Sequence, residues 1–159
     1  MFPRPSMKLL RKLSEKAVEI TGCGLAGGLS LNFVGEKEMA AVNEAFVGHS
    51  GPTDVICFDY RESKSVLPDD NDGDTVEVEI VICPAVARRE AQKRALPYAR
   101  EVALYLAHGL LHAAGEDDLQ PELKRKMRRR EKKTMNELEK LFSFEDIFPE
   151  PVLTGDNTR

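Results

Sequence analysis

Pro97-Tyr-Ala-Arg-Glu-Val-Ala-Leu-Tyr-Leu-Ala-His108-Gly-Leu-Leu-His112-Ala-Ala-Gly115-Glu-Asp-Asp118 is the stretch on which the reading turns. Proline at the head of an apolar run and glycine behind it predict one helix over 97–114, stopped by Gly115. Two of the three histidines in the chain, His108 and His112, fall four apart on that helix. Such spacing puts both imidazoles on one face about one turn apart, the arrangement by which a single rigid element offers a metal two nitrogens. Beyond the glycine the chain can fold back, so that Glu116-Asp117-Asp118 brings a carboxylate round as third ligand.

Written as a string, this is His-x-x-x-His-x-x-Gly-x-x-Asp, the ligand spacing of metzincin proteases with aspartate in the last place. Residue 109 separates the chemistries. A zinc peptidase of the His-Glu-x-x-His type carries there the glutamate that works on water. Here it is glycine, which leaves that base missing and makes a protease-like hydrolase the weaker reading. Glycine inside a helix costs about 1 kcal/mol relative to alanine, so Gly109 implies close approach of another backbone or of substrate, or simple tight packing.

Working outward, Met7 to Ile20 spaces Leu9, Leu10, Leu13, Ala17 and Ile20 by threes and fours, an amphipathic helix ended by Thr21-Gly22. Leu29 to Val34 alternates like a strand, and Glu36 to Phe46 reads as a second helix, followed by a loop over 48–52. Val55-Ile-Cys-Phe58 and Val76 to Cys83 are β-rich runs that should be adjacent, joined by an acidic hairpin loop at 69–74 that lacks calcium-loop spacing. Helices at 84–95, 97–114 and from Pro121 to about Phe142 complete the body. Helices outnumber strands without strict alternation, so the expectation is α+β: a single domain over 1–145, with a small mixed sheet, about five helices and the metal site on a central one. Residues 146–159, rich in proline and ending Gly155-Asp-Asn-Thr-Arg159, read as a flexible tail.

At 159 residues, 42% hydrophobic and 31% charged with net charge −4, the composition suits one soluble domain and excludes a disordered acidic chain. The longest apolar stretch, 102–114, is too short to span a bilayer, and the N-terminus lacks the apolar core of a signal peptide, so a cytoplasmic protein is expected. Cys23, Cys57 and Cys83 are odd in number and far apart, which implies neither a disulfide framework nor a cysteine zinc site.

The segment His108-Gly-Leu-Leu-His112-Ala-Ala-Gly115-Glu-Asp117-Asp118 resembles the signature His-Gly-x-Leu-His-Leu-x-Gly-Tyr-Asp-His of the YbeY-type endoribonucleases. Upstream, Asn43-Glu-Ala-Phe46-Val47 is similar to that family's Asn-x-x-aromatic-Arg, Thr53-Asp-Val-Ile-Cys-Phe58 to its Thr-Asp-Val-Leu-Ser-Phe, and Glu79-Ile-Val-Ile82 to its Gly-Asp-Ile-x-Ile strand. Residues 8–142 are covered. The resemblance implies one zinc ion on His108, His112 and residue 118, and cleavage of single-stranded RNA. It further implies maturation of the 3′ end of small-subunit (16S) ribosomal RNA, ribosome quality control and association with the small subunit or the ribosome, with no DNA or membrane partner. Two departures matter. Asp118 replaces the third histidine, which makes the site harder and one unit more negative and admits another divalent metal. Asp117, the family's aspartate, is then the next choice of ligand or a group that orients an imidazole. Val47 stands where the family has arginine, so phosphate charge must be met otherwise. His49 and Arg61, flanking the same loop and strand, are the candidate catalytic substitutes, the alternative for each being a plain surface side chain.

Lys124 to Lys133 holds eight basic residues against one acid, Glu131. A helix there, docking its apolar stripe on the body, would present Lys124, Arg125, Arg128 and Arg129 to an RNA backbone. Arg88, Arg89, Lys93 and Arg94 form a weaker patch. The rival reading is a ribosome-associated RNA-binding protein that keeps the metal as a structural staple.

Overall fold

The computed structural model describes residues 2–48, 51, 53–62 and 75–151. The acidic stretch at 69–74 and His49 lie outside these residues. Helix α1 (Met7–Thr21) buries Leu10, Leu13 and Ala17 and closes at Gly22, whose φ of 74° is the left-handed conformation that glycine adopts without strain. Strand β1 (Gly28–Phe33) follows, then α2 (Glu36–Val42). The helix expected to run unbroken to Phe46 changes at Asn43 into a π-helical turn, Asn43–Val47. The cause is tertiary: Asn43 is 4% exposed, and its Nδ2 donates to the Gly51 carbonyl at 2.8 Å. The widened turn is closed by Gly48 N–H on the Asn43 carbonyl, also 2.8 Å, and leaves Phe46 and Val47 exposed.

Strands β2 (Val55–Asp59) and β3 (Val76–Ile82) complete a three-stranded mixed sheet of order β1-β3-β2, parallel between β1 and β3 and antiparallel between β2 and β3. In register, Leu31, Ile80 and Cys57 lie side by side across it. The central strand buries Val78, Ile80 and Ile82 completely, because the helices cover the face on which alternate residues point. The helices that follow are α3 (Pro84–Arg94), α4 (Tyr98–Ala113), α5 (Pro121–Leu141) and the short α6 (Phe144–Ile147), of which α4 lies directly on β2 and β3. Val102, Leu106 and Leu110 of α4 enter one core with Leu13, Ile80 and Leu138. The α+β class and small mixed sheet are therefore as the sequence implies, with a sixth helix of four residues added.

That sixth helix revises the boundary expected at 145. Ile147 and Phe148 are 1% and 3% exposed. Ser6 N–H donates to the Ile147 carbonyl at 2.9 Å, and the Phe148 ring packs on Phe33. The packed body thus extends past 145, because two large apolar side chains outweigh the neighbouring prolines; residues 152–159 of the expected tail lie outside the described residues. No helix among the described residues is long and apolar enough to cross a membrane.

Gly109 sits where α4 crosses β3. A Cβ there would stand 3.0 Å from Ile80 Cδ1 and 3.2 Å from its Cγ2. Of the readings open from the sequence, tight packing is the one this contact supports, and it brings the histidine-bearing end of α4 close to the sheet.

Candidate metal centre

His108 and His112 occupy the last turns of α4 with their rings 4.6 Å apart, and their Nε2 atoms approach to 3.0 Å. Behind them the helix unwinds at Gly115, whose φ of 104° reverses the chain. Gly115 N–H on the His112 carbonyl and Glu116 N–H on that of Leu111 fix the turn. The reversal delivers Asp118, whose Oδ2 stands 3.7 Å from both Nε2 atoms. Zinc bonds of 2.0–2.1 Å in a tetrahedron put donor atoms roughly 3.3 Å apart. The three spacings of 3.0, 3.7 and 3.7 Å bracket that value, so two imidazoles and a carboxylate fit a single divalent cation. Asp117 is outside this group; its carboxylate instead accepts Leu119 N–H at 3.1 Å.

Each imidazole is held from its other side. His108 Nδ1 meets the Glu131 carboxylate of α5, and His112 Nδ1 donates to the Glu116 carbonyl at 3.1 Å. Arg130 ties that turn down, donating to the Glu116 carboxylate at 2.6 Å and to the Thr21 carbonyl at 2.9 Å. Burial alone would lower the His108 pKa, but the Glu131 hydrogen bond and charge, with Asp118 beyond, carry it above its ordinary value.

A cleft of about 680 Å³ opens beside the histidines, between α4 and β2, with Asn43, Val47, Cys57 and Asp59 in its lining. Val47 contributes no charge to it. Burial above all pushes the Cys57 thiol up to about 12, which removes it as a nucleophile at neutral pH. Arg61, at the end of β2, is committed within the protein. Its Nε and Nη2 donate to the two Asp59 oxygens at 2.9 and 2.8 Å, Nη1 to the Cys23 carbonyl at 2.8 Å, and Nη2 to the Ala113 carbonyl at 2.7 Å. It therefore links β2 to the end of α4. Lys124, Arg125, Arg128 and Arg129 are exposed on α5, while Met127, Thr134, Met135 and Leu138 face inward. Sequence reasoning missed Glu131 and Glu116 as anchors, although a lone acid among eight bases was a signal for the first.

These features define a class: an α+β protein with three donors that could hold a metal ion beside an open cleft. Comparison with known proteins narrows it. The family model described as Endoribonuclease YbeY matches residues 4–139, and the chain belongs to that family. The endoribonuclease YbeY of Frankia alni is 39% identical over 105 residues, a match spanning 62% of this chain and 56% of that protein. The corresponding protein of Cutibacterium acnes is 38% identical over 99 residues, spanning 62% of this chain and 64% of the relative. The matches thus cover less than two thirds of either relative's length. A Thermotoga maritima protein of known solution structure superposes with a TM-score of 0.53 at 27% identity, covering 92% of this chain and 94% of that one.

Proposed function

We propose that this protein is a metal-dependent endoribonuclease acting on single-stranded RNA, with His108, His112 and Asp118 holding one divalent ion, zinc before others. Its cellular task in this reading is 3′-end maturation of small-subunit ribosomal RNA and ribosome quality control, in the cytoplasm and in contact with the small subunit. The observation that carries the reading is the convergence of three donors at the edge of a cleft rather than inside the core. Bound there, a divalent cation supplies Lewis acidity toward a phosphoryl oxygen.

The chain's own residues do the rest. Exposed Lys124, Arg125, Arg128 and Arg129 draw the phosphate backbone toward α5. Arg61 serves as a brace: its hydrogen bonds to Asp59 and Ala113 hold the cleft's strand against the histidine-bearing helix. His49, outside the described residues, remains the other substitute for the arginine replaced by Val47. Among the described residues the donor group has three members. A structural staple closes its shell with a fourth protein ligand, whereas a catalytic site keeps a position open, so the enzyme reading is favoured over the non-catalytic one.

Purified protein given zinc and a single-stranded oligonucleotide of the ribosomal-RNA 3′ end should cleave it, and should spare the same sequence in duplex. His112→Ala and chelation should each reduce the rate at least about 100-fold, as loss of a metal ligand implies. Cleavage that persists in both overturns the metal mechanism. His49→Ala should slow cleavage by more than Arg61→Ala; full activity in the first removes it as a phosphate contact.

A further inference from the structure

The described residues place one carboxylate against the back of the metal-binding group. Glu131 comes from the middle of α5, twenty-three residues beyond His108, and its side chain is 19% exposed. Arg128, Arg129, Lys132 and Lys133 around it point to solvent, whereas Glu131 turns inward with Arg130, which binds Glu116 and Thr21. It meets His108 at Nδ1, while Nε2 of the same ring faces His112 and Asp118.

An imidazole can present a lone pair at only one nitrogen when neutral, and the hydrogen bond at the other nitrogen decides which. A carboxylate at Nδ1 accepts a hydrogen bond from Nδ1–H, which keeps the proton on that nitrogen and leaves the Nε2 lone pair free. We infer that Glu131 is a positioning residue for the metal centre: it holds His108 in the Nδ1–H tautomer and fixes the ring plane, so that Nε2 points at the cation. The inference rests on the metal-centre reading above and deepens it. His112 obtains the same service from the backbone carbonyl of Glu116, which no side-chain substitution removes, so the two ligands differ in how they can be perturbed. The arrangement also assigns α5 a second task. The helix whose exposed cations suit a polyanion is the one that orients a ligand from its inner side.

Zinc affinity of the purified, metal-stripped protein, measured by competition with a chromogenic chelator, tests this directly. Glu131→Ala should weaken zinc binding about 10- to 100-fold, the usual consequence of losing a carboxylate behind a ligating histidine. Glu131→Gln, whose amide oxygen can still accept from Nδ1, should lie between wild type and alanine. Melting of the metal-free forms is recorded in parallel, and Glu131→Gln, being isosteric, stays folded if alanine does not. Wild type that binds zinc while both variants bind within twofold of it overturns the positioning role alone. Wild type that binds no zinc overturns the metal centre and the positioning role with it.

Discussion

Residue by residue, the site is built from side chains whose partners lie on other elements, and Asp59 with Arg61 shows what such a pairing does. The two-pronged contact between guanidinium and carboxylate is the geometry that makes arginine strong at this job. Arg61 hydrogen bonding, opposed by burial, holds the Asp59 carboxyl below its ordinary value of 3.8. A carboxyl whose folded value lies below its unfolded one stabilises the fold above the unfolded value and loses that contribution as pH falls through the folded one. Asp59→Asn should therefore cost about 1–2 kcal/mol at pH 7, and the two stability curves should converge as pH drops below about 4. Urea unfolding at a series of pH values reads this; a gap of constant width down to pH 3 would show that the ion pair is not its source.

At the level of elements, α4 lies close on β3 because residue 109 has no side chain. Gly109→Ala gains about 1 kcal/mol of helix propensity but drives a methyl to 3.0 Å from the fully buried Ile80. Overpacking of this kind costs about 1–3 kcal/mol, so the net expectation is a loss of up to about 2 kcal/mol. Ile80→Val, which removes the Cδ1 that the methyl meets, should recover part of it in the double variant; additive losses in chemical denaturation would place the strain elsewhere. The helices themselves were legible because their buried residues recur at helical intervals, by three and four for Leu10, Leu13 and Ala17 in α1 and by eight and three for Met127, Met135 and Leu138 in α5. The π-helical turn at Asn43 was not, since its cause is a hydrogen bond to Gly51 across a loop. Phe144, Ile147 and Phe148 were obscured by Pro149 and Pro151, which say where a helix stops but not whether the segment before them is buried.

In the molecule as a whole, the candidate metal group was readable because its three donors lie within eleven consecutive residues, whereas Glu131, Arg130 and Arg61 reach it or its turn from elements that only the fold brings near. That contrast bears on stability. A cation bridging Asp118 to two histidines of α4 ties together the two sides of the turn that leads into α5, and the unfolded chain offers no preformed equivalent. A ligand at 100 times its dissociation constant stabilises the folded state by about 2.7 kcal/mol, and at this chain length each kcal/mol raises the melting temperature by roughly 2–4 °C. Zinc at that excess should then raise Tm by about 5–10 °C, toward the lower end because Cys23, Cys57 and Cys83 let the unfolded chain bind some of it. Chelator should reverse the rise, and Asp118→Ala should lose most of it while melting near wild type without metal. An equal rise in Asp118→Ala would assign the binding to other groups, and no rise in wild type would leave the convergence of the three side chains without a cation to explain it.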